Sequence, residues 1–504
     1  MVDHQKVPDS NRSLNSGKVK LSEIFIKVIA LALLLSSAQQ PPVASSDQSG
    51  QYKAVTGLFD LRSTFSDGDH SIEEMVKMAS SRGFKVLFIN DHDRIALSYG
   101  ILPFRNILRY KKEFPSMMTH GPEKFLEEID RISKKYSDMI IIPGCITSAH
   151  YYWTGSWLKK NLTVHGYDRR IIIINFDDAD DYNLIPSLHN KLSRKYTKEL
   201  LPGLVVFIVP LFIGLILVTW KGFSRFIGVI IVVLSILAII DYNPFRSSMF
   251  SSYRGDQGIA PFQELINYVN QRGGLSFWNY PEQRSGVRKY GPINVSTLPY
   301  PQVLHQSKNY TGFAAIYGDN IKATNPGKEW DKALIEYCRG KRERPPWGIS
   351  TADFHEDGRL GLKLGAFPTT FLVETFSRKG VIEAIERGRM YASRGNGRVW
   401  PRLDYFNVLG KGGKKAFMGE TLTTSQLPVI KFRISYNAEQ SNPMKVLLIR
   451  GGQLIHTFKS ETPIEVDYVD KGATPGEKTY YRLMDSKKHL TSNPIFVTYK
   501  PTKP

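Results

Sequence analysis

Cysteine is almost absent from this chain: Cys145 and Cys338 are the only two in 504 residues. Two widely separated cysteines cannot build a zinc cluster, and their spacing does not say whether they pair. Acidic residues are also in deficit, with 47 Asp and Glu against 67 Lys and Arg, a formal net charge of +20. Such an excess favours polyanions: nucleic acid, anionic lipid headgroups or phosphorylated glycans. No zinc-finger spacing, RNP motif or long Lys/Arg block is present, so no nucleic-acid partner is expected. The other source of the charge is a solvated basic surface together with positive flanks around membrane segments. The length suffices for two or three domains with sizeable cores.

The apolar residues are unevenly spread. Lys6, Arg12, Lys18 and Lys20 precede "VIALALLL" (28–35), and small residues follow in "SSAQQPPVASSDQSG" (36–50). This is the pattern of an export signal, while Lys27 and the long tail before it leave an uncleaved signal anchor open. Residues 1–50 are therefore read as leader plus linker.

Further on, "LLPGLVVFIVPLFIGLILVTW" (200–220) carries no charge and is long enough to cross a bilayer. "FIGVIIVVLSILAII" (226–240) follows after Lys221 and Arg225. A buried soluble hairpin would need apolar residues all round two consecutive helices, so a transmembrane hairpin at 191–250 is the expectation. Pro202 and Pro210 are tolerable in such helices. Two spans return the chain to the side it left. If the leader is exported, Lys221 and Arg225 lie inside, as positive charges prefer. Lys191, Arg194, Lys195 and Lys198 at the other end pull the opposite way. The expected location is the membrane, with the flanking regions on the extracytoplasmic side.

Between residues 51 and 398 one theme recurs. "SIEEMVKMASSRGF" has Ile72, Met75, Val76 and Ala79 at helical spacing, Ser71 and Glu74 placed as a capping box, and Gly83 as a stop. "KVLFIN" follows at once, and further helix–strand pairs succeed it. Amphipathic helices alternating with short apolar strands read as βα units around a parallel sheet or barrel. The barrel falls in two parts, 51–190 and 251–398, with the hairpin between them. From 399 to 504 the pattern changes to short, partly alternating strands with Gly, Asn and Pro turns, Gly451-Gly452 among them, and a small all-β sandwich domain is expected.

In a parallel barrel, ligands collect at the carboxyl ends of the strands. Those ends are polar here: "FDLRSTFSDG" with Asp60, Arg62 and Asp67, "INDHD" with Asp91 and His92, and "STADFHEDG" with Asp353 and His355. Asp-x-His at a strand end projects two ligands to one side, which suits a divalent cation. Singly, such residues are turn-formers or caps. Together they leave a metal site and a phosphate site open.

The succession "FSDG", "FINDHD" and "GISTADFH" resembles the polymerase and histidinol phosphatase (PHP) family of metal-dependent phosphoesterases, over roughly residues 55–396 without the hairpin. The resemblance implies a distorted (β/α)7 barrel with a two- or three-metal site at its top. It carries metal-ligand roles to Asp67, His92, Asp353 and His355. The family's opening H-x-H falls on Asp60-Leu61-Arg62; Asp60 can ligate, but a guanidinium at Arg62 repels a metal. The bridging glutamate falls on Ile146 and a further histidine on Tyr280, with His150 and His165 close enough in sequence to substitute.

Multi-metal hydrolysis needs ions roughly 3.5–4 Å apart, bridged by carboxylate or hydroxide. The residues remaining can hold at most one ion, of Zn, Mn or Fe. Asp91, His92 and Arg62 are the candidates for any catalytic role. Two functions are therefore expected as alternatives. One is a membrane-tethered, non-catalytic binding or assembly scaffold. The other is a single-metal phosphoesterase at the cell surface. In a third arrangement Arg62 binds an anionic group of a phosphorylated or glycan ligand. The aromatic clusters "HYYWTGSW" and "FWNYPE" are read as a sugar-stacking rim or as packing.

Overall fold

The computed structural model describes residues 47–48, 51–190, 192–283, 286–319, 321–359 and 362–501, so the expected leader lies almost wholly outside it. Seven strands make a closed barrel: β1 (Tyr52–Leu61), β2 (Val86–His92), β3 (Ile140–Thr147), β4 (Arg170–Ile174), β5 (Leu275–Asn279), β6 (Gly312–Ile316) and β7 (Trp347–Phe354). They neighbour one another in chain order, and β7 closes the ring on β1. Six run parallel; β4 alone is antiparallel to both its neighbours.

The barrel strands are buried on both faces and are correspondingly continuous runs of Ile, Val, Leu and Phe. Phe59 of β1 stacks on Phe88 of β2 at 3.9 Å and tilts against Phe277 of β5 at 5.7 Å, filling the interior from three strands.

Helices cover the outside. α1 (Ile72–Ser81) starts at the expected capping box: the Glu74 backbone N–H donates to the Ser71 hydroxyl, and the Ser71 N–H donates to the Glu74 carboxylate. It buries Ile72, Met75, Val76 and Ala79. α2 (Pro122–Lys135) precedes β3 and buries Phe125, Ile129 and Ile132.

Two helices leave this body, α3 (Val205–Val218) and α4 (Phe223–Tyr242). They pack on each other at small residues. A Cβ added at Gly228 would lie 2.8 Å from the Gly214 carbonyl oxygen, so the backbones approach closely. Only Gly214, Gly228 and Ser235 are buried in the pair, and Phe212, Ile216, Phe226 and Ile240 are exposed. With the turns before it, α3 forms a helical run from Thr197 to Val218, and this run and α4 are long and apolar enough to span a membrane and are largely uncovered by the rest of the described chain.

After β7, β8 (Pro368–Val373) runs antiparallel to the first half of β1, whose second half bonds β7. β9 (Met390–Ser393) extends the sheet to the strands Leu490–Ser492, Lys478–Asp485, Pro443–Arg450 and Gln453–Glu461. A second, four-stranded sheet contains Pro401–Leu409 and Val429–Tyr436, and Leu403, Phe406 and Phe432 share a buried cluster with Val446, Leu448 and Leu483. The Gly451-Gly452 hairpin forms where expected, both residues at positive φ and Arg450 paired with Gln453. The all-β region is thus joined to the barrel by an unbroken sheet. It is also joined by a fully buried ion pair. Arg482 donates from Nε and Nη2 to the two oxygens of Asp331, each over 2.8 Å, and Asp331 lies on the barrel helix α5 (Glu329–Cys338).

Candidate functional site at the barrel mouth

The polar strand ends meet at one end of the barrel, aimed there by irregular backbone. β1 shifts register against β2 between Leu58 and Leu61, and β7 shifts against β1 between Thr351 and Phe354. Asp60 and Asp353 sit at these bulges with φ of +63° and +48°, and Tyr280, just past β5, has φ +45°. Bulges re-aim side chains, and non-glycine residues in this region are strained positions held by their surroundings. Gly68 of the Ser-Asp-Gly turn packs on the same strand end; a Cβ there would lie 2.2 Å from the Arg62 carbonyl oxygen.

Arg62 occupies the centre and is fully buried. Its Nε donates to Asp60 Oδ1 at 3.2 Å, Nη2 to Asp353 Oδ1 at 2.7 Å, and Nη1 to both Asp67 Oδ1 at 3.4 Å and His92 Nε2 at 2.5 Å. Burial works against its charge, but Asp60, Asp353 and Asp67 outweigh that and raise its pKa. Four of the bonds that its five N–H groups can make therefore go to protein acceptors.

His92 is buried and receives a second guanidinium, Nη1 of Arg170, at 2.8 Å on the same Nε2. Burial, then Arg170 and Arg62, push its pKa well below the usual histidine value. It is a neutral acceptor here, with its proton on Nδ1. Asp67 is exposed at the rim, 3.2 Å from His355 Nε2. Burial opposes its ionisation, yet the hydrogen bond from His355 and the neighbouring charge of Arg62 hold its carboxyl well below the ordinary range.

The expected substitutions take other roles. Tyr280 donates its hydroxyl in a short bond to Asp60 Oδ2, which also accepts from Asn279 Nδ2 at 3.0 Å. Ile146 is buried in the apolar core. Asp91 spends both oxygens on the loop after β1, accepting from the Ser63 N–H at 2.8 Å and from the Ser63 and Ser66 hydroxyls at 2.6 Å each.

The structure thus brings Asp60, Arg62, Asp67, His92, Asp353 and His355 together, and places His150 and His165 elsewhere. His150 faces Gln257 and Phe250, and His165 stacks on Tyr152 and bonds Thr154.

A metal does not fit this arrangement. The atoms that would turn toward an ion, on Asp60, Asp67, His92 and Asp353, turn toward a cation that is already there. Among the described residues no three His, Cys, Asp or Glu side chains are gathered as a ligand set.

Arg170 and Asp168 are site residues that strand-end reasoning misses. β4 is antiparallel, so its beginning, not its end, lies at the mouth. Asp168 accepts from Arg170 Nη2 at 3.3 Å and, in a shorter contact, from Arg288. The charged run "YDRR" before "IIII" was the available signal, had the strand's direction been known. Asp93 lies alongside, in a small cavity of about 40 Å³ with His92, Tyr151, Arg170 and His189, and burial pushes its carboxyl up to about 6.

No known family model matches the sequence, and no curated protein matches it. Two solved structures are similar in part. One is a two-domain protein from Bacteroides vulgatus containing a predicted PHP-like metal-dependent phosphoesterase, at 12% identity and TM-score 0.33, covering 88% of this chain and 93% of that one. The other is a candidate metal-dependent phosphoesterase from Bifidobacterium adolescentis, at 12% identity and TM-score 0.26, covering 60% of this chain and 87% of that one. Likenesses this loose carry neither residue roles nor activity to this chain.

Proposed function

We propose that this chain is a membrane-tethered, non-catalytic scaffold in which an arginine has taken the electrostatic place of a metal. The observation that supports it is the guanidinium of Arg62, bonded at once to Asp60, Asp67, His92 and Asp353. A guanidinium held by three carboxylates offsets part of their charge, but offers no water to activate and no open coordination position. Its donors are almost all used, which also speaks against Arg62 as the seat of an anionic ligand. The hairpin of α3 and α4 would hold the barrel and the all-β region at the membrane surface, on the extracytoplasmic side if the leader is exported.

One observation favours a second reading, a single-metal phosphoesterase. Asp67, Asp353 and His355 reach the rim, where a swing of Arg62 would release them. A broad phosphoester panel assayed with added Zn, Mn or Fe tests both readings. A scaffold gives no turnover with any ion. Metal-dependent turnover that is abolished in H92A/D353A would establish the phosphoesterase instead.

For the tether, reporter fusions after Ser251 and within 221–225 should report opposite sides of the membrane. The same side for both would refute a spanning hairpin.

A further inference from the structure

A second polar cavity lies where the helical hairpin joins the barrel. It has a volume of about 270 Å³ and is walled by the end of α4, the segment that follows it, and the β-hairpin Ile95–Gly100/Arg109–Phe114. Its side chains include Arg109, Lys111 and Arg246, and no Asp or Glu lines it among the described residues. In a protein interior, cations are normally paired, because an unpaired buried charge is costly. Arg246 is half-buried, lies over the Tyr242 ring at 5.8 Å, and among the described residues has no carboxylate partner and keeps its Nε buried without a hydrogen bond. Arg109 adds an exposed guanidinium at the cavity's edge, with no carboxylate partner among the described residues, whereas Lys111 reaches Glu113 at 2.7 Å outside the cavity.

Hydroxyl donors complete the lining. The Ser248 and Ser251 hydroxyls each accept a backbone N–H, at 3.2 and 3.4 Å, and so keep their own protons for a ligand. The local field is positive enough to act on a neighbour. His189, on the wall, has its pKa lowered to about 3 by burial and by the charges of Lys111, Arg109 and Arg94.

The cavity's position narrows the ligand. Ile240 and Tyr242, at the end of α4, form part of its wall, so it opens where an apolar span gives way to polar protein. The hairpin loop beside it presents Ile101, Leu102 and Leu108 to the outside, with Leu102 67% exposed. That loop is tied to the helical hairpin, since Asp241 accepts from the N–H groups of Asn106 at 2.6 Å and Ile107 at 3.2 Å. Apolar tips beside a spanning hairpin belong at the depth of the lipid headgroups.

We propose that this cavity binds a phosphate ester at the membrane face, the headgroup of an anionic lipid, through Arg109, Arg246 and the serine hydroxyls. Guanidinium groups suit phosphate because their planar forks match its oxygens. The inference rests on the membrane reading of the hairpin given above, but not on the state of the barrel mouth.

The test uses the full chain reconstituted in nanodiscs of phosphatidylcholine with a minor fraction of phosphatidylglycerol, then released and analysed by native mass spectrometry. Wild type should retain phosphatidylglycerol over phosphatidylcholine, and R109Q/R246Q should retain at least tenfold less. A free-phosphate arm adds millimolar glycerol phosphate: retention that survives it assigns the lipid, and displacement assigns a soluble phosphate ester at the same residues. No preference for the anionic lipid together with no glycerol phosphate binding, or equal retention in the variant, overturns the proposal. Equal unfolding midpoints for the two proteins in detergent guard against misfolding, and R246Q alone, with an intermediate loss, serves if the double variant is unstable. Alkaline carbonate extraction is run alongside. A chain released by carbonate overturns the membrane reading and the lipid with it, whereas a retained chain that holds no anionic lipid or ester overturns the cavity alone.

Discussion

Nη1 of Arg62 lies 2.5 Å from Nε2 of His92. Both side chains are buried, and the guanidinium also holds Asp60, which is fully buried with it. Removing one partner of such a network strands the other. Arg62→Met should therefore lower the unfolding free energy by about 3–5 kcal/mol, because Asp60 loses its counter-charge. Arg62→Met with Asp60→Asn should be less damaging than Arg62→Met alone, since the carboxylates that then lose the guanidinium, Asp67 and Asp353, are open to solvent. Chemical denaturation of the chain in detergent reads both. Equal losses in the single and double variants would show that the ion pair is not what holds the mouth together.

Asp93 makes stability depend on pH in a defined direction. Its carboxyl titrates near 6 when folded, raised by burial, against an ordinary value of 3.8, so the folded chain binds the extra proton between those values. Stability from this group is present at low pH and lost as pH rises from about 4 through 6. Replacing it by Asn removes the titration while keeping an acceptor for the Thr147 hydroxyl, which lies 2.8 Å away. Relative to wild type, Asp93→Asn should gain on the order of 2–3 kcal/mol between pH 4 and pH 8. Unfolding midpoints across that range check it; a constant difference would mean that Asp93 ionises normally.

The helices and their caps were legible because local signals set them: Ser71 and Glu74 fix a helix start wherever the rest of the chain goes. The strand-end residues Asp60, Arg62, Asp67, His92, Asp353 and His355 were legible for a related reason, since parallel strands put their polar ends together. Arg170 was not, because strand direction is decided by closure of the ring and leaves no mark in "RIIII". The plugging of the cup was half visible. A guanidinium at position 62 was plain in the sequence, but its reach to four partners depends on bulges at Asp60 and Asp353 that no local pattern announces. The unbroken sheet from β1 into the all-β region was also hidden, because antiparallel strands far apart in sequence are matched only by tertiary packing.

Asp331 and Arg482 couple the barrel to the all-β region through a pair with no access to solvent. Tyr480 adds its hydroxyl to Asp331 Oδ1 at 2.7 Å. Asp331→Ala should cost about 3–5 kcal/mol by leaving a buried guanidinium unpaired. A chain stopped at residue 398 should be readily proteolysed, as it loses both the ion pair and the strands that follow β9. A truncated chain as protease-resistant as the whole would show that the barrel stands without them.

The claim that Arg62 has replaced the metal is tested most directly by elemental analysis. Purified wild type, H92A/D353A and R62H are each incubated with Zn, Mn or Fe, dialysed and measured for metal per chain. Arginine in the cup predicts no stoichiometric metal in wild type, no difference from H92A/D353A, and a gain in R62H, where His92, Asp67 and Asp60 are freed. A stoichiometric ion in wild type that disappears in H92A/D353A would contradict it.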